Sequence, residues 1–160
     1  MHLSDMYQRP GFLLRRAHQI SAAIFENACA HVGLTQAQYG ALVVLASQPD
    51  IDQSSLGRAL GFDKVTILRV LRGLEERGLV LRAPSATSRK HLALRLTPEG
   101  KRLLKKAERP ASEAYEQLMS PFDASQREQL IALLQLLSDS LGHQARAALV
   151  RHGLPGQAGQ

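Results

Sequence analysis

Between Gln53 and Thr97, two stretches of helical periodicity, QSSLGRAL and DKVTILRVLRGLEER, are separated only by Gly61-Phe62. Two short apolar runs, LVLR and LALRL, follow and are joined by a loop rich in Ser, Arg and Lys. A period near 3.6 in the first pair and alternation in the last run predict two helices packed across a tight turn, then a two-stranded hairpin. Asp52 and Asp63 stand where helix N-caps belong, and Gly78 where a left-handed terminus belongs. Few folds accept helix, turn, helix and hairpin within 45 residues, and the expected one is a winged helix-turn-helix.

Charge follows the same segment. Residues 58–106 hold thirteen Lys/Arg against four Asp/Glu, while the whole chain carries a formal +6. A basic centre between mildly acidic ends implies one polyanion-binding surface. On a helical wheel, Ile67, Val70, Leu71 and Leu74 share one face and must point inward. Val65, Arg69, Arg72 and Glu76 lie opposite, with Thr66 and Gly73 at the flank and Asp63 and Lys64 at the start. Arg forks onto guanine and an apolar group meets the thymine methyl, so this face suits the major groove. Glu76 would repel phosphate, so the N-terminal half is expected to enter, as recognition helices do. In the hairpin loop, Arg89, Lys90 and His91 place cations where a narrow minor groove would attract them. A solvated charged face would explain the Arg residues alone, but not their coincidence with the motif.

The rest of the chain reads as helices, giving a mainly α single domain over 1–160 with a small β-hairpin wing. Apolar spacing predicts a helix from Phe12 to about Ala30. Thr35 with Gln38 forms a capping-box pattern opening a helix through Leu45. Thr97-Pro98 starts another reaching about Met119, which Pro110 should kink or interrupt. Asp123 with Gln126 caps a last helix to about His152, and residues 153–160 read as a disordered tail. Residues 10–32 and 98–152 would then form a dimerisation body around a winged unit at 35–97. Along the last helix Leu130, Ile131, Leu133, Leu134, Leu136, Leu137 and Leu141 make an apolar arc too wide for one small core, and a second copy would bury it. Two recognition helices would then lie about 34–36 Å apart, matching an inverted repeat in duplex DNA.

Cys29 is the single cysteine, so no internal disulfide forms. The opening MHLSDMYQRP lacks a signal-peptide core, no apolar run nears the ~20 residues that span a bilayer, and a cytoplasmic location is expected. No enzyme is expected. His143 and His152 stand apart from any metal-ligand cluster, Ser54 and Ser55 lack a nucleophile elbow, and no Gly-rich phosphate loop follows a strand. Neither metal nor cofactor is implied.

GLTQAQYGAL (33–42), LGRALGFDKVTILRVLRGLEERGLVLR (56–82) and LRLTPEGKRLL (94–104) together resemble the MarR family of winged-helix regulators. The resemblance implies a dimer on a pseudopalindromic operator, usually a repressor, that releases DNA on binding a small molecule such as an aromatic acid. Family wings commonly carry Asp-x-Arg, the Asp bracing an Arg in the minor groove. Here the loop reads Ser88-Arg89-Lys90, which lacks the brace and puts Lys in place of a forked cation. Such ligands lodge where body and heads meet. Arg15, His18, Ser21 and Phe25 on the first helix, with Arg16 beside them and Tyr39 on the next, offer a cation, an imidazole, a hydroxyl and two rings to an aromatic carboxylate. The opening YQRPGFLLRRAHQI resembles a branch controlling aromatic-acid breakdown, including regulators of nicotinate catabolism that sense 6-hydroxynicotinate. Two other readings compete: a redox switch at Cys29, its thiol activated by nearby His31, and a winged helix that binds proteins instead of DNA.

Overall fold

The computed structural model describes residues 2–85 and 92–151. Helices α1 (Leu3–Tyr7), α2 (Pro10–Ala28), α3 (Gln36–Ser47), α4 (Gln53–Leu60) and α5 (Lys64–Glu76) lead into β1 (Val80–Pro84) and β2 (Leu92–Leu96), and α6 (Pro98–Met119) and α7 (Ala124–Leu141) complete the chain. The strands pair antiparallel with Val80 opposite Leu96 and Pro84 opposite Leu92. This is the expected winged helix-turn-helix on a helical body.

Local chemistry explains the boundaries. The Thr35 side chain accepts from the Gln38 backbone N–H, and the Gln38 side chain reciprocates, which opens α3. Asp52 accepts from the Ser55 N–H at 2.7 Å and Asp63 from the Thr66 N–H at 2.8 Å. Those backbone bonds hold both carboxyls below the ordinary carboxylate range, so each cap stays ionised. Between the two helices Gly61 ends α4 at φ 65°, a left-handed turn that costs glycine least. Leu42, Leu45, Leu56, Ile67, Leu71, Leu74, Leu79 and Leu94 form the buried centre on which the helix pair and hairpin rest.

Three expectations need correction. The last helix stops at Leu141 and not near His152, because the chain turns through a short 3-10 segment, Gly142–Gln144, and then runs out of helix. The Val150 N–H there donates to the Arg58 carbonyl at 2.9 Å, supplying a partner to an α4 carbonyl near its C-terminal end. Pro110 does not interrupt α6, which continues through it. It is buried beside Ala107 and Ala114 on the face that packs against α2, and that packing offsets the missing hydrogen bond. The first helix begins at Pro10, with proline at its first position, and a short α1 precedes it that periodicity does not reveal. Residues 153–160, expected to be a disordered tail, lie outside the described residues.

The start of α6 touches Leu79, the residue before β1, so closely that only glycine fits. A Cβ on Gly100 would stand 2.1 Å from the Leu79 carbonyl oxygen, and both atoms belong to anchored backbone. Gly100→Ala is therefore expected to cost about 1–3 kcal/mol, read as a lowered urea midpoint at unchanged slope.

Candidate nucleic-acid interface

The sorting of α5 into two faces is observed directly. Ile67, Val70, Leu71 and Leu74 are buried, while Lys64, Val65, Arg69 and Arg72 are exposed and Thr66 is half-buried. Val65 leaves 65% of its surface open, which folding of this chain does nothing to reward. Asp63 is occupied as the helix cap, a structural duty beside whatever it meets outside.

The two arginines of that face differ. The Arg72 Nε donates to Glu76 Oε1 at 2.8 Å, one turn on, and this pair holds the guanidinium pKa above its usual value. Glu76 thus restrains Arg72 as well as opposing phosphate. Arg69 is in none of the ion pairs found among the described residues. It is the arginine of α5 whose whole fork is presented outward.

Part of the basic centre is internal scaffolding, which charge counting does not distinguish. Arg77 donates to the carbonyls of Gly33 and Val32 at 2.6 and 2.9 Å, tying the end of α5 to the loop before α3. Arg82 on β1 bonds Glu75 at 2.6 Å and Gln53 at 2.9 Å, linking wing, α5 and α4. Arg102 pairs with Glu99 within α6. Arg58, Lys64 and Arg69 carry the cationic character around the helix pair. Arg89 and Lys90 lie outside the described residues.

On the body, Phe25 is buried and its ring packs 5.4 Å from that of Tyr39, tilted by 50°. Burial, and then the charge of Glu108, push the Tyr39 phenol upward, so it remains a neutral hydroxyl. Ser21 lies one turn before Phe25 on α2, and Gln36 at the start of α3 donates its Nε2 hydrogen to the Ser21 hydroxyl at 2.8 Å. Gln36 escapes a reading of the sequence, since an amide two positions before a capping partner gives no periodic signal. Arg15, Arg16 and His18 are exposed on α2, and the Arg15 guanidinium lies 5.1 Å above the Phe12 ring instead of meeting Tyr39. The structure therefore brings Ser21, Phe25 and Tyr39 together and leaves Arg15 and His18 facing outward.

Cys29 is wholly buried in the core, and burial raises its thiol pKa, opposite to the activation expected from His31, which is exposed. A protonated, enclosed thiol is a poor oxidant target.

The helix α7 buries none of its residues. Leu133, Leu134, Leu137 and Leu141 are exposed and Leu130 is half-buried, while Leu3, Leu13, Leu14 and Ile20 on α1 and α2 are also exposed.

Residues 32–91 match the MarR family. Over 136 residues, 85% of this chain and 86% of the relative, the sequence is 30% identical to the HTH-type transcriptional repressor NicR of Pseudomonas putida. The chain belongs to the MarR family. Among solved MarR-type structures it is similar to BpsR of Bordetella bronchiseptica, studied for regulation of its DNA binding by 6-hydroxynicotinic acid. That likeness has a TM-score of 0.78 and 27% identity, over 87% of this chain and 97% of that one. It is equally similar to CouR of Rhodococcus jostii bound to a 23-mer DNA duplex, with a TM-score of 0.77 and 27% identity, over 86% and 98% of the two chains. NicR and CouR are transcriptional repressors, and no helix among the described residues is long and apolar enough to cross a membrane.

Membership in the MarR family sharpens the question of what holds the wing when Asp-x-Arg is missing. Here Asp50, in the loop after α3, braces the hairpin from its flank. Its carboxylate accepts from the Ser85 hydroxyl at 2.7 Å and from Arg95 Nη2 at 2.5 Å, so it reaches both arms of the hairpin. Next to it the Leu94 N–H donates to the Ile51 carbonyl at 2.9 Å, a single antiparallel bridge on the outer side of β2. Asp50 adopts φ 73°, which Asx residues tolerate better than most. Asp50→Asn keeps that backbone and removes the charge. It is expected to lower stability by about 1 kcal/mol and to raise amide exchange in β1 and β2, measured by hydrogen-deuterium exchange.

Proposed function

We propose that this protein is a homodimeric repressor that reads an inverted-repeat operator with α5 and lets go when a small aromatic acid binds. The observation carrying the DNA half is the outward face of α5, where Val65, Arg69 and Arg72 have no role in the chain's own core. Asp63, Lys64 and Thr66 at the start of the helix, and Arg89 and Lys90 from the sequence between the two strands, complete the set assigned to DNA. A second copy is assigned to the leucines of α7, packed with α1, α2 and α6 as a body that carries two reading heads. The similarity to CouR, a repressor bound to a DNA duplex, supports this use of the fold.

The effector is assigned to the class of hydroxylated pyridine or benzene carboxylates. Similarity to NicR and to BpsR, whose DNA binding is regulated by 6-hydroxynicotinic acid, supports it. Phe25 and Tyr39 would flank the ring and Ser21 would serve its polar edge, and His18 and Arg15, which face outward in the single chain, would have to turn in to meet it. Release is then a population shift, with ligand favouring a head spacing that no longer matches successive major grooves.

Two measurements test the reading. Affinity for an inverted-repeat duplex should fall steeply and log-linearly with salt as counterions are released. A protein-contact module would show little duplex binding at any salt. In a thermal-shift series, 6-hydroxynicotinate at about a hundred times its Kd should add about 2.7 kcal/mol per site to the stability of the folded dimer. His18→Ala should blunt that gain and leave DNA affinity intact. A full gain in the variant removes His18 from the site.

A further inference from the structure

After α7 the chain does not trail away. Ala145 to Arg151 comes back across the helix-turn-helix and is held there at Leu149, Val150 and Arg151. The Val150 N–H donates to the Arg58 carbonyl of α4 at 2.9 Å. The Leu149 side chain lies over the turn, where a Cβ on Gly61 would stand 3.6 Å from its Cδ1. The Arg151 guanidinium pairs with Asp139 of α7 at 2.8 Å, fastening the other side of the segment to the body. The path thus runs from body to head and is anchored to both.

This course delivers Arg146 to the starts of α4 and α5. With Gln53, Ser54, Arg58 and Lys64 it lines a hollow of about 380 Å³ there. Arg146 is exposed and is in none of the ion pairs found among the described residues. Its charge also contributes, after the backbone bond from Thr66, to holding the Asp63 carboxyl low. In a docked helix-turn-helix the first helix crosses the sugar-phosphate backbone while the second enters the groove. The hollow runs along α4 to the start of α5, where a phosphate would pass, and Arg58 from the last turn of α4, Lys64 and Arg146 line it together with one carboxylate, that of the cap Asp63.

We propose that residues 145–151 are a working part of the DNA-reading head and that Arg146 binds a DNA phosphate beside the start of α5. The proposal rests on the reading of α5 as the recognition helix and adds a cation from outside the winged unit. Because it meets the DNA backbone, it supplies affinity and register without base preference.

The test is a salt titration of duplex affinity for the full-length dimer, comparing wild type with R146Q and R146K. Each phosphate that is no longer neutralised flattens the log-log slope by about 0.9, so R146Q should flatten it by about 1.8 per dimer. R146K should retain the slope. The weakening in R146Q should be equal on operator and on random duplex. A wild-type protein with a steep slope, matched by R146Q, overturns the role of Arg146 and leaves α5 as the reader. Weaker binding by R146Q at unchanged slope also overturns it, since that marks a merely structural role. A wild type without salt-dependent duplex binding sinks the α5 reading, and the Arg146 proposal with it.

Discussion

Replacing Leu134 and Leu137 together by glutamate is expected to leave a folded monomer that binds operator DNA about 10²–10⁴-fold more weakly. Both side chains are 42% exposed in the single chain, and no residue of α7 is buried. Their apolar surface is therefore a cost to the isolated protomer and a gain only when another surface covers it. Fully burying one leucine is worth about 1.5–3 kcal/mol, and each occurs twice in a two-fold dimer. Introducing four carboxylates at that seam removes this gain and adds the desolvation of unpaired charge. The winged unit does not depend on α7 for its core, so the variant should keep its far-ultraviolet spectrum. Sedimentation would report a mass near 17.5 kDa. What disappears is the second head held at a matching distance, and with it the effective concentration that joins two half-sites. A double variant that still sediments as a dimer would move the interface elsewhere, with α1 and α2 as the next place to look.

The second large effect is expected at Arg69. Arg69→Ala should cost about 1–3 kcal/mol per half-site on operator DNA, and so about twice that for the dimer, with little change on random duplex. The reason lies in the contrast with Arg72. Both are outward on α5, but Arg72 already shares its charge with Glu76, whereas Arg69 has no such carboxylate among the described residues. A guanidinium with both edges open can fork onto a guanine without first breaking a bond. Equal weakening on operator and random duplex would mark Arg69 as a phosphate ligand. A larger specific effect in Arg72→Ala would mean that the Glu76 pair opens on docking.

Local order was legible along the chain because its causes are local. Asp52, Thr35, Asp63, Thr97 and Asp123 each cap a helix through a backbone N–H three residues on, and that spacing is visible in the letters. The inward face of α5 follows from a 100° step, and its four core residues are those observed. The helical arc of α7 was legible for the same reason. Its length was not, since periodicity runs thin past Leu141 and the segment beyond the turn meets Arg58 and Gly61, far back in the chain, through Val150 and Leu149.

Sequence alone determined that this is a winged helix on a helical body and which face of α5 points outward, since caps, periodicity and glycine turns act within a few residues. Only the tertiary structure decided how the charges are used. Arg77, Arg82 and Arg95 serve partners 44, 29 and 45 positions away. Those distances are closed by the packing of the core, and no local pattern encodes them. The same packing put Asp50 beside the wing, sealed Cys29 from solvent, and set the C-terminal segment across the reading head.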